Sequence, residues 1–307
     1  MTIKTPRSIA VTGVNGFVGK HLVKDLHNRG IGVVGIGRSK LADTTIEGML
    51  QSYHCADLSQ EWPPINHVGA IIHLASLAVP SESFSQPQEY ISRNSAMVTN
   101  MCEYYLTQKK KPRIVIVSSG AIYDPNQPMP LREDSEIGFN SPYAISKVLV
   151  ENQAEYYRNR GLDCIIARPF NHTGPGQEGD FIVPRLIVGL RDSLSKGSDL
   201  MVGNLESRRD YTDVRDVASA YVLLATTEHL SGVLYNVCSG VSTSGEEILS
   251  SLMKLLHAED VKVTVDASKI RPLDSPEIVG DARKLTGDTG WLPKITLEQT
   301  LSDIVSS

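Results

Sequence analysis

Short runs of apolar, β-branched residues alternate with segments of helical periodicity through the first two-thirds of the chain. Runs at 8–13 (SIAVTG), 31–37 (IGVVGIG), 52–58 (SYHCADL), 69–76 (GAIIHLAS), 113–119 (RIVIVSS) and 163–168 (DCIIAR) predict strands, and segments 17–29, 88–107 and 143–160 predict helices. The strand runs are nearly continuous in apolar content, which marks a parallel sheet buried on both faces. Strand–helix alternation then requires right-handed crossovers, so the expected class is α/β with a doubly wound parallel sheet. After residue 170 the pattern breaks at "FNHTGPGQEGDF" and shorter mixed elements follow. Helices are predicted at 214–226 and 244–257, and strands at 234–240 and 261–266. The expected division is a dinucleotide-binding part over 1–170, with contributions from about 210–240, and a smaller mixed α/β lobe over 171–307.

Composition narrows the partners. The 307 residues are 41% hydrophobic and carry a net charge of -5, so a full core is available and a polyanionic partner is not indicated. The basic run Lys109 to Pro112 precedes an apolar strand and reads as a solvated loop, not a nucleic-acid patch. None of the four cysteines, Cys55, Cys102, Cys164 and Cys238, is spaced as a metal knuckle or redox pair. No apolar run approaches the roughly 18 residues of a membrane span, and no signal-like block precedes the first strand. A reducing cytoplasm is the expected compartment.

Between the first strand and first helix lies "VTGVNGFVGKHL", with Gly13, Gly16 and Gly19. Glycines there allow a tight turn, close approach to a pyrophosphate and close helix–strand packing, and the helix N-terminus offers free N–H groups. The strand before and the helix after supply the context that a Rossmann-type dinucleotide site requires. Arg38 stands at the end of the second strand, 19 residues after Gly19. An acid there would bind an unphosphorylated ribose, whereas arginine suits a 2′-phosphate, so NADP(H) is preferred and NAD(H) remains possible. Asp57 can accept from an adenine amino group or simply cap its strand.

"SPYAISKVLVE" places Tyr143 and Lys147 one helical turn apart, which could be mere i,i+4 packing. Upstream, Ser118 and Ser119 end the fifth strand at the carboxyl edge where parallel sheets bind ligands. A lysine beside a tyrosine, with a nicotinamide nearby, would favour the phenolate. Tyr143 is then the candidate acid–base group, Lys147 its tuner and ribose anchor, and Ser119 the hydroxyl that orients a carbonyl oxygen.

These pieces, with "HLAS", "RPFNHTGPGQ", "RRDYTDVRDV", "LYNVCSG" and "IRPLDSPEIVGD", span nearly the whole chain. Together they resemble the extended short-chain dehydrogenase/reductase family, whose members act on nucleotide-linked sugars. The run "RPFNHTGPGQ" is most similar to the branch of GDP-mannose 4,6-dehydratases and GDP-4-keto-6-deoxy-sugar reductases. The resemblance implies a cofactor site that also takes in Asn15, Phe17, Val18, Leu58, Leu74, Ala75, Ser76, Asn94 and Pro169. It implies that Asn171 meets the sugar-nucleotide phosphates, that Arg209 and Arg271 grip the pyrophosphate, and that Asp274 binds the ribose. Arg185 is a further substrate-binding candidate, with Arg208 and Arg215 weaker ones. It also implies a homodimer formed through the helices near 88–107 and 143–160.

The departures from the family are as informative. Its dehydratases carry an Asp-Glu pair after the catalytic Ser/Thr, and here those positions are Gly120 and Ala121, which transfer no protons. A usual glycine is Asp124, so that loop is expected to differ in shape. The expected activity is NADPH-preferring reduction of a nucleotide-linked 4-keto-6-deoxy sugar, with a rhamnose-type product. A 4-epimerase holding NAD uses the same three residues, and a catalytically silent nucleotide-binding scaffold is the third reading.

Overall fold

In a computed structural model, residues 6–65, 67–266 and 275–307 are described. The first half builds strands β1 (Ser8–Thr12), β2 (Gly32–Gly37), β3 (Ser52–Cys55), β4 (Ala70–His73), β5 (Arg113–Val117) and β6 (Asp163–Pro169). Between them run helices α1 (Phe17–Asn28), the short α2 (Pro80–Ser83), α3 (Pro87–Leu106) and α4 (Pro142–Asn159). The second half contributes β7 (Asn171–Thr173), α5 (Ile182–Lys196), β8 (Leu200–Val202), β9 (Arg208–Asp213), α6 (Val214–Thr226), β10 (Leu234–Val237), β11 (Ser242–Ser244) and α7 (Gly245–Leu255). It ends with β12 (Val263–Val265), β13 (Glu277–Ile278), α8 (Arg283–Thr289) and α9 (Leu297–Ser306).

Seven strands form one sheet in the order β10-β6-β5-β4-β1-β2-β3, every pair parallel. Alternate strand residues feed two apolar layers. Val11, Ile72, Val115 and Ala167 face α1 and α6, while Ala10, Ile71, Ile116 and Ile166 face α3 and α4. This is the doubly wound Rossmann-type sheet that the continuous apolar runs predict. Strand order reverses between β1 and β4, which opens the crevice where such sheets bind ligands.

A third apolar cluster joins α5, α7, α9 and β8, which pairs in parallel with β12. A small sheet of β7, β9, β11 and β13 connects this lobe to the main sheet. Most predicted strands are shorter than their runs, and in two the cause is visible. The 52–58 run stops at Cys55 because Asp57 closes a turn, accepting from the Ser59 backbone N–H at 3.0 Å. The 234–240 run stops at Val237 because Ser239 and Gly240 wrap around the buried Asp210 carboxylate. Cys102, Cys164 and Cys238 are buried and Cys55 is exposed. Among the described residues, no helix is long and apolar enough to cross a membrane.

Candidate active site

The glycine turn sits at the switch point. Gly13 takes φ +68°, and a Cβ there would press on the Ala75 backbone nitrogen at 3.1 Å. Gly19 is tighter still, since its Cβ would lie 2.4 Å from the Gly13 oxygen and 2.6 Å from that of Val14. The first turn of α1, which starts at Phe17 and holds Val18, has Gly16 as its N-cap and no side-chain cap. Its leading N–H groups are therefore available to an anion. This tight, uncapped cradle fits the pyrophosphate of a dinucleotide.

Asn15 turns outward, donating to the Leu41 oxygen at 3.1 Å and accepting from the Asp43 N–H at 3.0 Å. It thereby pins the segment beside Arg38, which is exposed just beyond β2 with no described side-chain partner. Asp57 is already engaged: it accepts from Ser59 and from Arg93 Nη2 at 2.6 Å, and the Ser59 hydroxyl leads in holding its pKa below the ordinary carboxylate value. These bonds fit the capping reading. Leu58 is buried beside it.

Ser141 caps α4, its hydroxyl accepting from the Ala144 N–H at 3.1 Å, and Pro142 fits the first helical position. This cap fixes Tyr143 in the first turn and Lys147 one turn later. Lys147 Nζ donates to Ser76 Oγ at 3.2 Å and to the Val117 carbonyl at 3.0 Å, and lies 5.7 Å from the centre of the Tyr143 ring. An ammonium has three donors, so one remains for a ribose hydroxyl. Ser119 accepts from the Ala121 N–H at 3.1 Å, which leaves its own O–H to donate elsewhere. The neighbouring Ser118 hydroxyl is buried and has no partner among the described residues. Leu74, Ala75 and Ser76 leave β4, and Pro169 ends β6, at the same edge.

Burial pushes the Tyr143 phenol up, with the Ser119 hydroxyl opposing. The sequence reading has Lys147 lowering this pKa, but in the protein alone desolvation wins, and the phenol is held in its proton-bearing form. Burial also lowers Lys147 to about 8, with Glu151 partly offsetting the effect.

One group near the site, His73, escaped the sequence reading, and Asn94, expected in the cofactor site, has a bracing role that the sequence did not show. His73 on β4 lies 2.9 Å from Thr12 Oγ1, and burial holds its pKa at about 3, so it is neutral. Asn94 acts as a brace. Its amide exchanges bonds with Leu77 and donates to Ser146 Oγ at 3.0 Å, and that hydroxyl donates to the Tyr143 carbonyl at 2.8 Å.

On the other side of the cleft, Asn171 is exposed at the start of β7. Phe17 stacks on the adjacent His172 with ring centres 6.2 Å apart, which ties the glycine turn to this strand. Arg185 is exposed on α5. Arg209 donates to the Arg208 and Ser275 carbonyls at 2.7 and 2.8 Å. Arg208 is held by Glu247 at 3.1 Å, and Arg215 by Asp213 and Asp303, both at 2.7 Å. Arg271 and Asp274 lie outside the described residues. An open cavity of about 710 Å³ lies apart from this cleft, between α7 and the β8–β12 pair, and none of the candidate residues lines it.

Residues 9–238 match the model of the NAD dependent epimerase/dehydratase family. The chain belongs to this family. A curated relative, GDP-6-deoxy-D-mannose reductase from Pseudomonas aeruginosa, is 30% identical over 96% of this chain and 95% of its own length. Among solved structures, RMD from Pseudomonas aeruginosa complexed with NADPH is 28% identical at a TM-score of 0.82, covering 98% of both chains. UDP-glucose 4-epimerase from Thermotoga maritima with UDP-glucose is 25% identical at a TM-score of 0.85, covering 97% of both. As a member of the epimerase/dehydratase family, the protein is an NAD(P)-dependent enzyme, and Ser119, Tyr143 and Lys147 lie together at the carboxyl edge of its parallel sheet.

Proposed function

We propose that this protein is an NADPH-preferring reductase of a nucleotide-linked 4-keto-6-deoxy sugar, with GDP-4-keto-6-deoxymannose as substrate and a GDP-deoxyhexose such as GDP-rhamnose as product. The observation that carries this reading is the full-length likeness to GDP-6-deoxy-D-mannose reductase. A bound nicotinamide cofactor supplies the hydride, and the chain's own residues manage the proton. Ser119 donates a hydrogen bond to the C4 carbonyl oxygen and holds it near Tyr143. The Tyr143 hydroxyl gives its proton to that oxygen as negative charge develops on it. Lys147, one turn away, then stabilises the phenolate left behind. Asn171, Arg185, Arg209, Arg271 and Asp274 hold the nucleotide portion in this reading.

Gly120 argues against the dehydratases of the family. It is buried, and a Cβ there would meet the Phe170 ring at 3.0 Å, so position 120 has no room for an acid while that ring stays in place. A specific likeness supports a second reading, a 4-epimerase, through the Thermotoga maritima structure.

Purified protein incubated with NADPH should lose the absorbance of the reduced nicotinamide with GDP-4-keto-6-deoxymannose but not with the dTDP- or UDP-linked sugars. No loss with any of the three, together with NAD carried through purification, puts the epimerase first. Cofactor choice has its own test. Arg38→Ala should weaken NADPH binding about tenfold or more while leaving NADH unchanged, because a charged hydrogen bond to the 2′-phosphate is removed. Equal losses for both cofactors in a fluorescence titration would show that Arg38 does not read the phosphate.

A further inference from the structure

Behind the catalytic residues lies a buried ionic network that the chemistry above does not use. Glu151 sits one turn beyond Lys147 on α4 and makes a two-pronged pair with Arg168 of β6, Nε to Oε1 at 2.9 Å and Nη2 to Oε2 at 2.7 Å. The two side chains are only 4% and 10% exposed. The remaining prong, Nη1, donates to the Tyr123 hydroxyl at 2.8 Å and to the Glu133 carbonyl at 3.2 Å. The guanidinium also lies 4.8 Å from the centre of the Tyr123 ring. The Tyr123 hydroxyl donates in turn to Asn236 Oδ1 of β10 at 2.7 Å. Tyr123 closes the 3₁₀ turn Gly120–Ile122, which Ser119 opens.

We propose that Arg168 is a positioning residue for the reaction: through Glu151 on one side and Tyr123 on the other, it holds the helix bearing Tyr143 and Lys147 in register with the turn bearing Ser119. The inference rests on the reading of those three residues as the catalytic group. A buried ion pair is a costly way to gain stability, since well-packed apolar residues of similar volume do as well or better. What a planar five-donor fork adds is geometry, because it fixes a carboxylate and a phenol at set angles to each other. Arg168 joins the two structural pieces that must meet at one carbonyl oxygen. Glu151 also faces Lys147 electrostatically from its own helix. The other groups around the ammonium are His73 of β4, which is neutral, Ser76, Asn94, the Val117 carbonyl and the Tyr143 ring. Glu151 is therefore the anion that partly offsets the cost of burying the Lys147 charge.

The test pairs Arg168→Lys with the double variant Arg168→Met/Glu151→Leu, which removes both charges and keeps the volume. The double variant should melt near the wild-type temperature and bind NADPH normally. Its kcat on the nucleotide keto-sugar should nonetheless fall roughly 10- to 100-fold at unchanged KM, as a small misplacement of reacting groups does. Arg168→Lys should show the same split. Titrated by nuclear magnetic resonance of isotope-labelled lysine, Lys147 should deprotonate at lower pH in the double variant than in the wild type. Wild-type kcat together with an unmoved lysine titration in a folded double variant overturns the proposal and leaves the pair a structural one. If the double variant does not fold, Tyr123→Phe decides, since it cuts the arm to the Ser119 turn, together with the bond to Asn236, and leaves the Glu151 pair intact, and wild-type kcat there also overturns the proposal. A wild-type protein inactive on every keto-sugar would remove the catalytic reading itself, and the lysine titration would still judge the role of the pair.

Discussion

Tyr143→Phe is expected to fold, to bind NADPH as the wild type does, and to lose about 100- to 10,000-fold in kcat, the range that one positioned acid contributes. The substitution removes only an oxygen and its proton. The ring keeps its edge contact with Tyr90 at 6.4 Å and its place under the Lys147 ammonium. Substrate KM should change little, because Ser119 and the nucleotide-binding residues still hold the ligand. The pH profile sharpens the test. Lys147 has a folded pKa lowered to about 8, so its positive charge is complete well below that pH and is lost as pH rises through it. Wild-type kcat should therefore fall on the alkaline side as the cation that stabilises the phenolate disappears. That limb describes the tyrosine–lysine pair and not either residue alone. In Tyr143→Phe the residual rate should lose this dependence, because no phenolate forms. Residual activity within tenfold of the wild type, with the alkaline limb intact, would move the acid role to another group.

The sheet and its ligand edge were legible in the sequence because they rest on burial. Strands buried on both faces need near-continuous apolar residues, and β1, β4 and β5 have them at 9–11, 70–72 and 114–117. The glycine turn was legible because Gly13 and Gly19 answer steric demands that no other residue meets. What the sequence concealed is stabilised by polar satisfaction. Strand β9 reads Arg-Arg-Asp-Tyr-Thr-Asp and shows no apolar alternation, yet Asp210, Thr212 and Asp213 are buried in it. Asp210 survives there by accepting four hydrogen bonds, from the Ser239 N–H and hydroxyl and from the Gly240 and Gly280 N–H groups. Those partners lie between 29 and 70 residues away in sequence, where a local pattern cannot look. The same holds for Arg168 and Glu151. Each alone reads as a charge on a strand or helix, and only the packing of α4 on β6 shows that they are partners. Helix α5 is the contrary case. Its apolar stripe of Val183, Leu186, Ile187 and Leu190 is present in the sequence, yet no helix is expected there, because Phe181 at its N-cap gives no capping signal and the pattern breaks in the glycine-rich run before it.

Gly19→Ala should have the largest effect of any single-methyl change in the molecule. Three backbone atoms crowd the position: the Gly13 oxygen at 2.4 Å, the Val14 oxygen at 2.6 Å and the Val14 carbonyl carbon at 2.8 Å. No side chain can rotate away to make room, so α1 must lift from the end of β1. Overpacking of this kind costs about 1–3 kcal/mol or more. The lift also pulls the uncapped helix end away from where a pyrophosphate would sit, so the loss of cofactor affinity should exceed the loss of stability. Gly16→Ala is the internal control. It shares the turn, the chemistry and the added methyl, but its Cβ meets only the Gly13 oxygen, at 3.1 Å, and its φ of -76° suits any residue. Measured side by side, Gly16→Ala should melt within a few degrees of the wild type and keep most of its NADPH affinity. Gly19→Ala should melt markedly lower and bind NADPH at least about tenfold more weakly. If instead the two variants behave alike, close packing of α1 on β1 is not what holds the cofactor cradle in shape, and the role of the turn reduces to the backbone conformation of Gly13.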